Sequence, residues 1–84
     1  MSIYKELVAE FGKDNRRMKA CEELAELIQA IAKDDRANIL EEMSQVRLQL
    51  KMIELVYGFT LTEVTKQNDV EYKQLEALLD GYGV

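Results

Sequence analysis

Between Gly12 and Gly58 the chain contains neither glycine nor proline, and no proline occurs anywhere in its 84 residues. Proline removes a helical hydrogen bond and glycine adds backbone freedom, so their absence leaves long stretches able to wind as helix. Gly12, Gly58, Gly81 and Gly83 fall where apolar helical patterns end, the position glycine favours. The spacing predicts four helices and no strands. The first covers Ile3 to Phe11, with Ile3, Tyr4, Leu7, Val8 and Phe11 at helical spacing. The second begins near Asp14 or Asn15, both good N-cap types, and reaches about Lys33. The polar segment KDDRAN then turns the chain, with Asp34 or Asp35 as the next cap. A third helix covers Arg36 to Tyr57. Thr60 stands three residues before Glu63, a capping-box spacing, with Thr62 an equal candidate cap, and the fourth helix continues to about Leu79.

The third helix constrains the assembly. At about 100° per residue, Ile39, Met43, Val46, Leu50, Ile53 and Tyr57 make one apolar stripe, and Leu48, Met52, Leu55 and Val56 make another. A helix apolar on two sides needs partners on two sides. A chain of this size carries one domain, residues 1–84, with a core that is marginal alone. The expected fold is an all-α four-helix bundle completed by a second copy of itself. Cys21 is the only cysteine, so no disulfide forms within the chain, and a reducing, cytoplasmic setting is expected. Charges interrupt every apolar run before it reaches a membrane-spanning length, and no signal pattern opens the sequence.

Sixteen acidic against eleven basic residues give a net charge of −5, which opposes nucleic-acid binding through a basic patch. There is no histidine, which removes Ser-His-Asp and Cys-His catalysis and most zinc sites. Cys21 lies on the stripe Met18, Cys21, Leu24, Ala25, Ile28, Ile31 and reads as a small buried residue, not a nucleophile. The chemistry left to the chain uses carboxylates, lysines, hydroxyls or a hard cation. Glu23 and Glu26 share a helix face, with Glu22 one turn from Glu26. On the third helix Asn38, Glu42, Gln45 and Gln49 form a polar strip between the two apolar stripes, a position that implies partial burial. If Glu42 meets Glu23 and Glu26, three carboxylates converge, and a divalent cation is the neutralising partner such oxygen clusters select. The plain alternative is a solvated acidic face paired with Lys19, Lys33, Arg36 and Arg47. Tyr57, Phe59 and Tyr72 read as core or interface residues, with base stacking as the alternative. Lys66 and Asn68 read as parts of a solvated face.

The segment CEELAELIQAI, a short polar turn, and ILEEMSQVRLQLKMIELVYG together resemble the MazG-type all-α nucleoside triphosphate pyrophosphohydrolases. The resemblance spans about residues 10–80. FGKDNRRMKACEE and FTLTEVTKQNDVEYKQLEALL are similar to the short members found in phages and their bacterial hosts. It implies E-x-x-E at Glu23 and Glu26, and E-x-x-D beginning at Glu42, as ligands for Mg²⁺ or Mn²⁺. It also implies a nucleoside triphosphate as substrate, a monophosphate and pyrophosphate as products, and a homodimer or homotetramer. Glu22 or Glu41 would orient the attacking water, and Lys73 would neutralise phosphate charge. The sequence departs from the pattern twice. Gln45 stands where the family carries aspartate, and Glu76 and Ala77 stand where a later arginine is expected. A glutamine offers a neutral oxygen in place of an anionic one, which weakens metal affinity and water activation. Two functional readings follow: a Mg²⁺-dependent pyrophosphohydrolase, or a helical binding module that kept the fold without the metal chemistry.

Overall fold

The computed structural model describes residues 2–83, with side chains described for 2–81. It contains α1 (Ile3–Phe11), α2 (Lys13–Ala32), α3 (Arg36–Tyr57) and α4 (Leu61–Gly83). The all-α, four-helix architecture is as expected. Among the described residues, no helix is long and apolar enough to cross a membrane.

Local chemistry explains each boundary. Ser2 caps α1, its Oγ accepting from the Tyr4 N–H at 3.1 Å. Gly12 ends α1 and starts α2 at φ 87° and ψ 161°, a backbone state open to glycine and rarely to other residues. α2 therefore starts ahead of the expected Asp14 or Asn15 caps, on a glycine with no side-chain cap. Asp34 adopts φ 54°, the left-handed state that aspartate tolerates. The N–H groups of Asp34 and Asp35 return to the carbonyls of Ile31 and Ala30, a Schellman closure of α2. Asp35 then caps α3 by accepting from the Asn38 N–H. Gly58 closes α3 in the left-handed region at φ 72° and ψ 25°. The capping box forms at Thr60: its N–H donates to Glu63 Oε2 at 2.7 Å, and the Glu63 N–H donates to Thr60 Oγ1 at 3.1 Å. α4 runs one turn past the expected stop near Leu79.

Packing is concentrated between α2 and α3, with α1 laid across both, and α4 packs against none of the three among the described residues. The radius of gyration, 15.9 Å, exceeds the value of about 12 Å for a compact domain of this length. On α2 the face in contact is not the apolar stripe. α2 turns Ala20, Glu23 and Ala30 inward, and α3 turns Val46, Gln49, Met52 and Val56 inward. Met18, Leu24, Ile28 and Ile31 lie on the outside, and Cys21 is exposed, which corrects its reading as a buried thiol. On α3 the expected stripes are split. Val46, Met52 and Val56 are buried, whereas Met43, Leu48, Leu50, Leu55 and Tyr57 remain exposed. The physical reason is steric and electrostatic together. Alanines at both ends of the α2 inner face let the two backbones approach, and the carboxylates between them occupy the seam.

Ala30 is 0% exposed. Ala30→Leu should therefore overpack the α2–α3 seam and lower stability by about 1–3 kcal/mol. The exposed Ala32→Leu should stay within about 0.5 kcal/mol of the wild type. Urea unfolding followed by circular dichroism distinguishes the two.

Candidate metal centre

The seam between α2 and α3 holds an acidic cluster. Glu23 is buried, Glu42 half-buried and Glu26 exposed, and one carboxylate oxygen from each lies within 4.8 Å of the others. Oxygens bound to a single hard cation on opposite sides stand about 4–5 Å apart, so the spacing suits one divalent ion. Antiparallel packing makes this possible. Glu23 and Glu26 sit three residues apart on one face of α2, and the same seam brings Glu42 of α3 against them.

The three carboxylates are not equivalent. Lys19, one turn before Glu23, places its Nζ 3.1 Å from Glu23 Oε1 and 3.8 Å from Glu22 Oε2. The lysine hydrogen bond holds the Glu23 carboxyl below its ordinary range despite burial. The same bond, with the charges of Glu22 and Glu23, raises the Lys19 ammonium. Among the described residues Glu42 has no such cation. Desolvation first, and then the charges of Glu26 and Glu23, push it up to about 7. Its Oε2 is buried and accepts no hydrogen bond among the described residues. An orphaned carboxylate oxygen facing two further carboxylates is the donor set a hard cation satisfies.

The other expected site residues are placed as follows. Glu22 and Glu41 are exposed neighbours of the cluster residues in sequence. Gln45 is exposed, whereas Gln49, four residues on, is 7% exposed with its Oε1 unpartnered among the described residues. The polar strip on α3 is thus buried at Gln49, half-buried at Asn38 and Glu42, and open at Gln45. Lys73 is exposed on α4, away from the α2–α3 seam. Tyr57 and Phe59 stack on each other with centroids 5.8 Å apart, and Tyr72 is exposed. Sequence reasoning gave Lys19 only an ordinary surface pairing. The signal that finds it is its i,i+4 spacing to the one glutamate that the helix contact buries.

The shifts have a testable sign. A carboxyl with a raised folded-state pKa binds its proton more tightly folded than unfolded, so its stabilising contribution is lost as pH rises. For Glu42 that window runs from its unperturbed 4.5 to about 7. Glu23, shifted down, works in the opposite sense and below that window. Glu42→Gln should therefore raise the metal-free melting temperature relative to wild type at pH 8, and the gain should shrink at pH 5. Thermal unfolding in the presence of a chelator measures the difference. Added Mg²⁺ or Mn²⁺ should stabilise the wild type more at pH 8 than at pH 5, because the cation competes with a proton. Glu42→Gln should lose most of that effect.

No curated protein and no solved structure matches the chain. The model of the MazG nucleotide pyrophosphohydrolase domain matches residues 11–70, a span that includes α2, α3 and all three clustered glutamates. On that match the chain belongs to the MazG nucleotide pyrophosphohydrolase domain family.

Proposed function

We propose that the protein hydrolyses nucleoside triphosphates to monophosphates and pyrophosphate in a Mg²⁺-dependent reaction, with Mn²⁺ as a substitute. The observation that carries this reading is the convergence of Glu23, Glu26 and Glu42 within a MazG domain, with one Glu42 oxygen buried and unpartnered among the described residues. Glu23, Glu26 and Glu42 would hold the cation, with Gln45 at the position where the family aspartate would complete the set. When bound, the cation supplies charge for the triphosphate and lowers the pKa of a bound water. Glu22 or Glu41, both exposed beside the cluster, would orient the attacking water. Lys73 would neutralise phosphate charge, which requires α4 to lie near the seam of another copy or to fold back over its own.

The same reading makes the protein a single domain, residues 1–84, of the short phage or bacterial type, acting in the cytoplasm as a homodimer or homotetramer. Association is supported by the outward-facing apolar set Met18, Leu24, Ile28 and Ile31 on α2, together with an α4 that leaves Tyr72, Leu75, Leu78 and Leu79 uncovered. Isolated helices are marginal in water, and an unpacked helix with an apolar stripe gains its stability from a partner. Light scattering behind size exclusion should report two or four chains per particle. Ile28→Asp or Leu75→Asp should shift the particle toward one chain.

A second reading is favoured by one observation. Gln45 replaces the aspartate and lies exposed, so the cluster carries three carboxylates where the family pattern has four. On this reading the protein is a catalytically inactive helical binding or assembly module. Pyrophosphate release from a panel of ribo- and deoxyribonucleoside triphosphates decides between them. Loss of groups behind metal ligands already costs about 10–100-fold in affinity or activity, so Glu26→Gln should cost at least that. Gln45→Asp should raise turnover. A folded wild type and Gln45→Asp that both stay silent under Mg²⁺ and Mn²⁺ would leave the binding module standing.

A further inference from the structure

The inference concerns Lys19 and rests on the cation and polyphosphate reading of the α2–α3 seam. Lys19 and Glu23 form an asymmetric pair. The lysine side chain is 39% exposed and stands at the mouth of the seam, while the glutamate side chain is 8% exposed and lies inside it. The buried carboxylate therefore already has a counter-ion, one unit of positive charge where the cluster would take two. A divalent cation among Glu23, Glu26 and Glu42 would sit within a few ångströms of the Lys19 ammonium. Like charges at that distance in a partly desolvated seam repel strongly. The lysine is built to yield. Its ammonium is on a flexible four-carbon stem that reaches solvent.

The other cations named for this region have different contacts. Arg16, three residues before it, is half-buried, with its guanidinium 5.1 Å from the centre of the Phe11 ring and its Nη1 3.9 Å from Met52 Sδ. Arg17 pairs with Asp14 at 3.2 Å. Lys73 lies on α4, which does not pack on the seam. Among the described residues, Lys19 is the cation paired directly with a cluster carboxylate.

We propose that Lys19 is an exchangeable counter-ion: it neutralises Glu23 while the seam lacks its divalent cation, and it transfers to a phosphate oxygen of the bound polyphosphate once the cation takes Glu23. No covalent bond forms or breaks in the exchange. Lys19 is a cation stand-in in one state and a phosphate ligand in the other.

The two roles give opposite signs when the charge is removed. Calorimetry on the full chain compares wild type, Lys19→Met and Lys19→Arg, first with Mn²⁺ alone and then with pyrophosphate at saturating Mn²⁺. Lys19→Met should bind Mn²⁺ as tightly as wild type or more tightly, because a competing charge is gone. It should bind pyrophosphate about tenfold to a hundredfold more weakly, the scale of one lost charge-assisted hydrogen bond. Lys19→Arg should recover most of the pyrophosphate affinity. Weaker Mn²⁺ binding by Lys19→Met, or unchanged pyrophosphate affinity, would overturn the exchange. A readout on the wild type itself is independent of how the variants fold. The side-chain resonances of Lys19 should shift on adding Mg²⁺ and shift again on adding pyrophosphate, and a lysine that ignores both additions would also overturn it. A folded wild type that binds no Mn²⁺ at all would instead remove the metal reading on which the exchange rests.

Discussion

Three carboxylates within one helix–helix contact repel one another, and the arrangement of the seam follows from how that repulsion is contained. Glu23 is neutralised by Lys19 at 3.1 Å. Glu42, with no cation paired to it among the described residues, is driven toward its protonated form. Glu26 is exposed and faces water. One counter-ion, one raised pKa and one solvated carboxylate together let the seam close without a metal. Each of these solutions is also reversible. The ammonium can move and the proton can leave, so the three oxygens can be presented to a divalent cation without taking the helices apart.

The small residues at the contact make the cluster possible. Ala20 and Ala30 bracket Glu23 and Glu26 on α2, and both are buried. Large apolar side chains there would hold α3 farther away and separate Glu42 from its two neighbours. The consequence is an inside that is thin in apolar material. The buried hydrophobic residues are Ala20, Ala30, Val46, Met52 and Val56, and no large side chain among the described residues is fully buried. A chain whose interior is shaped for charge has little apolar area left for cohesion within one copy, and its larger apolar side chains lie outside.

That inversion sets what the sequence could and could not reveal. The helices were legible to within a residue for α1 and α3, because Gly12, Asp35 and Gly58 mark ends through backbone and capping chemistry that acts locally. The Thr60–Glu63 box was legible for the same reason. Which face turns inward was not, since a helical period identifies stripes without saying which one the chain itself covers. Reading Met18, Cys21, Leu24, Ile28 and Ile31 as core followed the ordinary rule that apolar faces pack. Here the acidic and alanine face packs. The polar strip on α3 was legible as a strip but not in its depth. At about 100° per residue, Gln49 lies only about 20° from the direction of Glu42, whereas Gln45 lies about 60° away. Burial of Gln49 and exposure of Gln45 follow from that difference once Glu42 faces the seam.

The geometry of α3 also bears on what the aspartate-to-glutamine departure costs. A side chain about 60° off the seam direction can reach the cluster, as Glu26 does at that offset from Glu23, and a negative charge there would be drawn toward a bound cation. A glutamine has neither the charge to be drawn in nor a reason to leave water, where its amide is fully hydrated. Its exposure is therefore the expected state of an uncharged residue at the edge of a carboxylate seam. The same reasoning separates α4 from the seam. The capping box and the Gln67–Glu71 hydrogen bond at 2.9 Å shape α4 as a helix from within. Where it goes is left to its apolar stripe and to whatever surface that stripe covers. The seam is organised by charges that the chain already balances, and α4 by apolar area that one chain leaves uncovered.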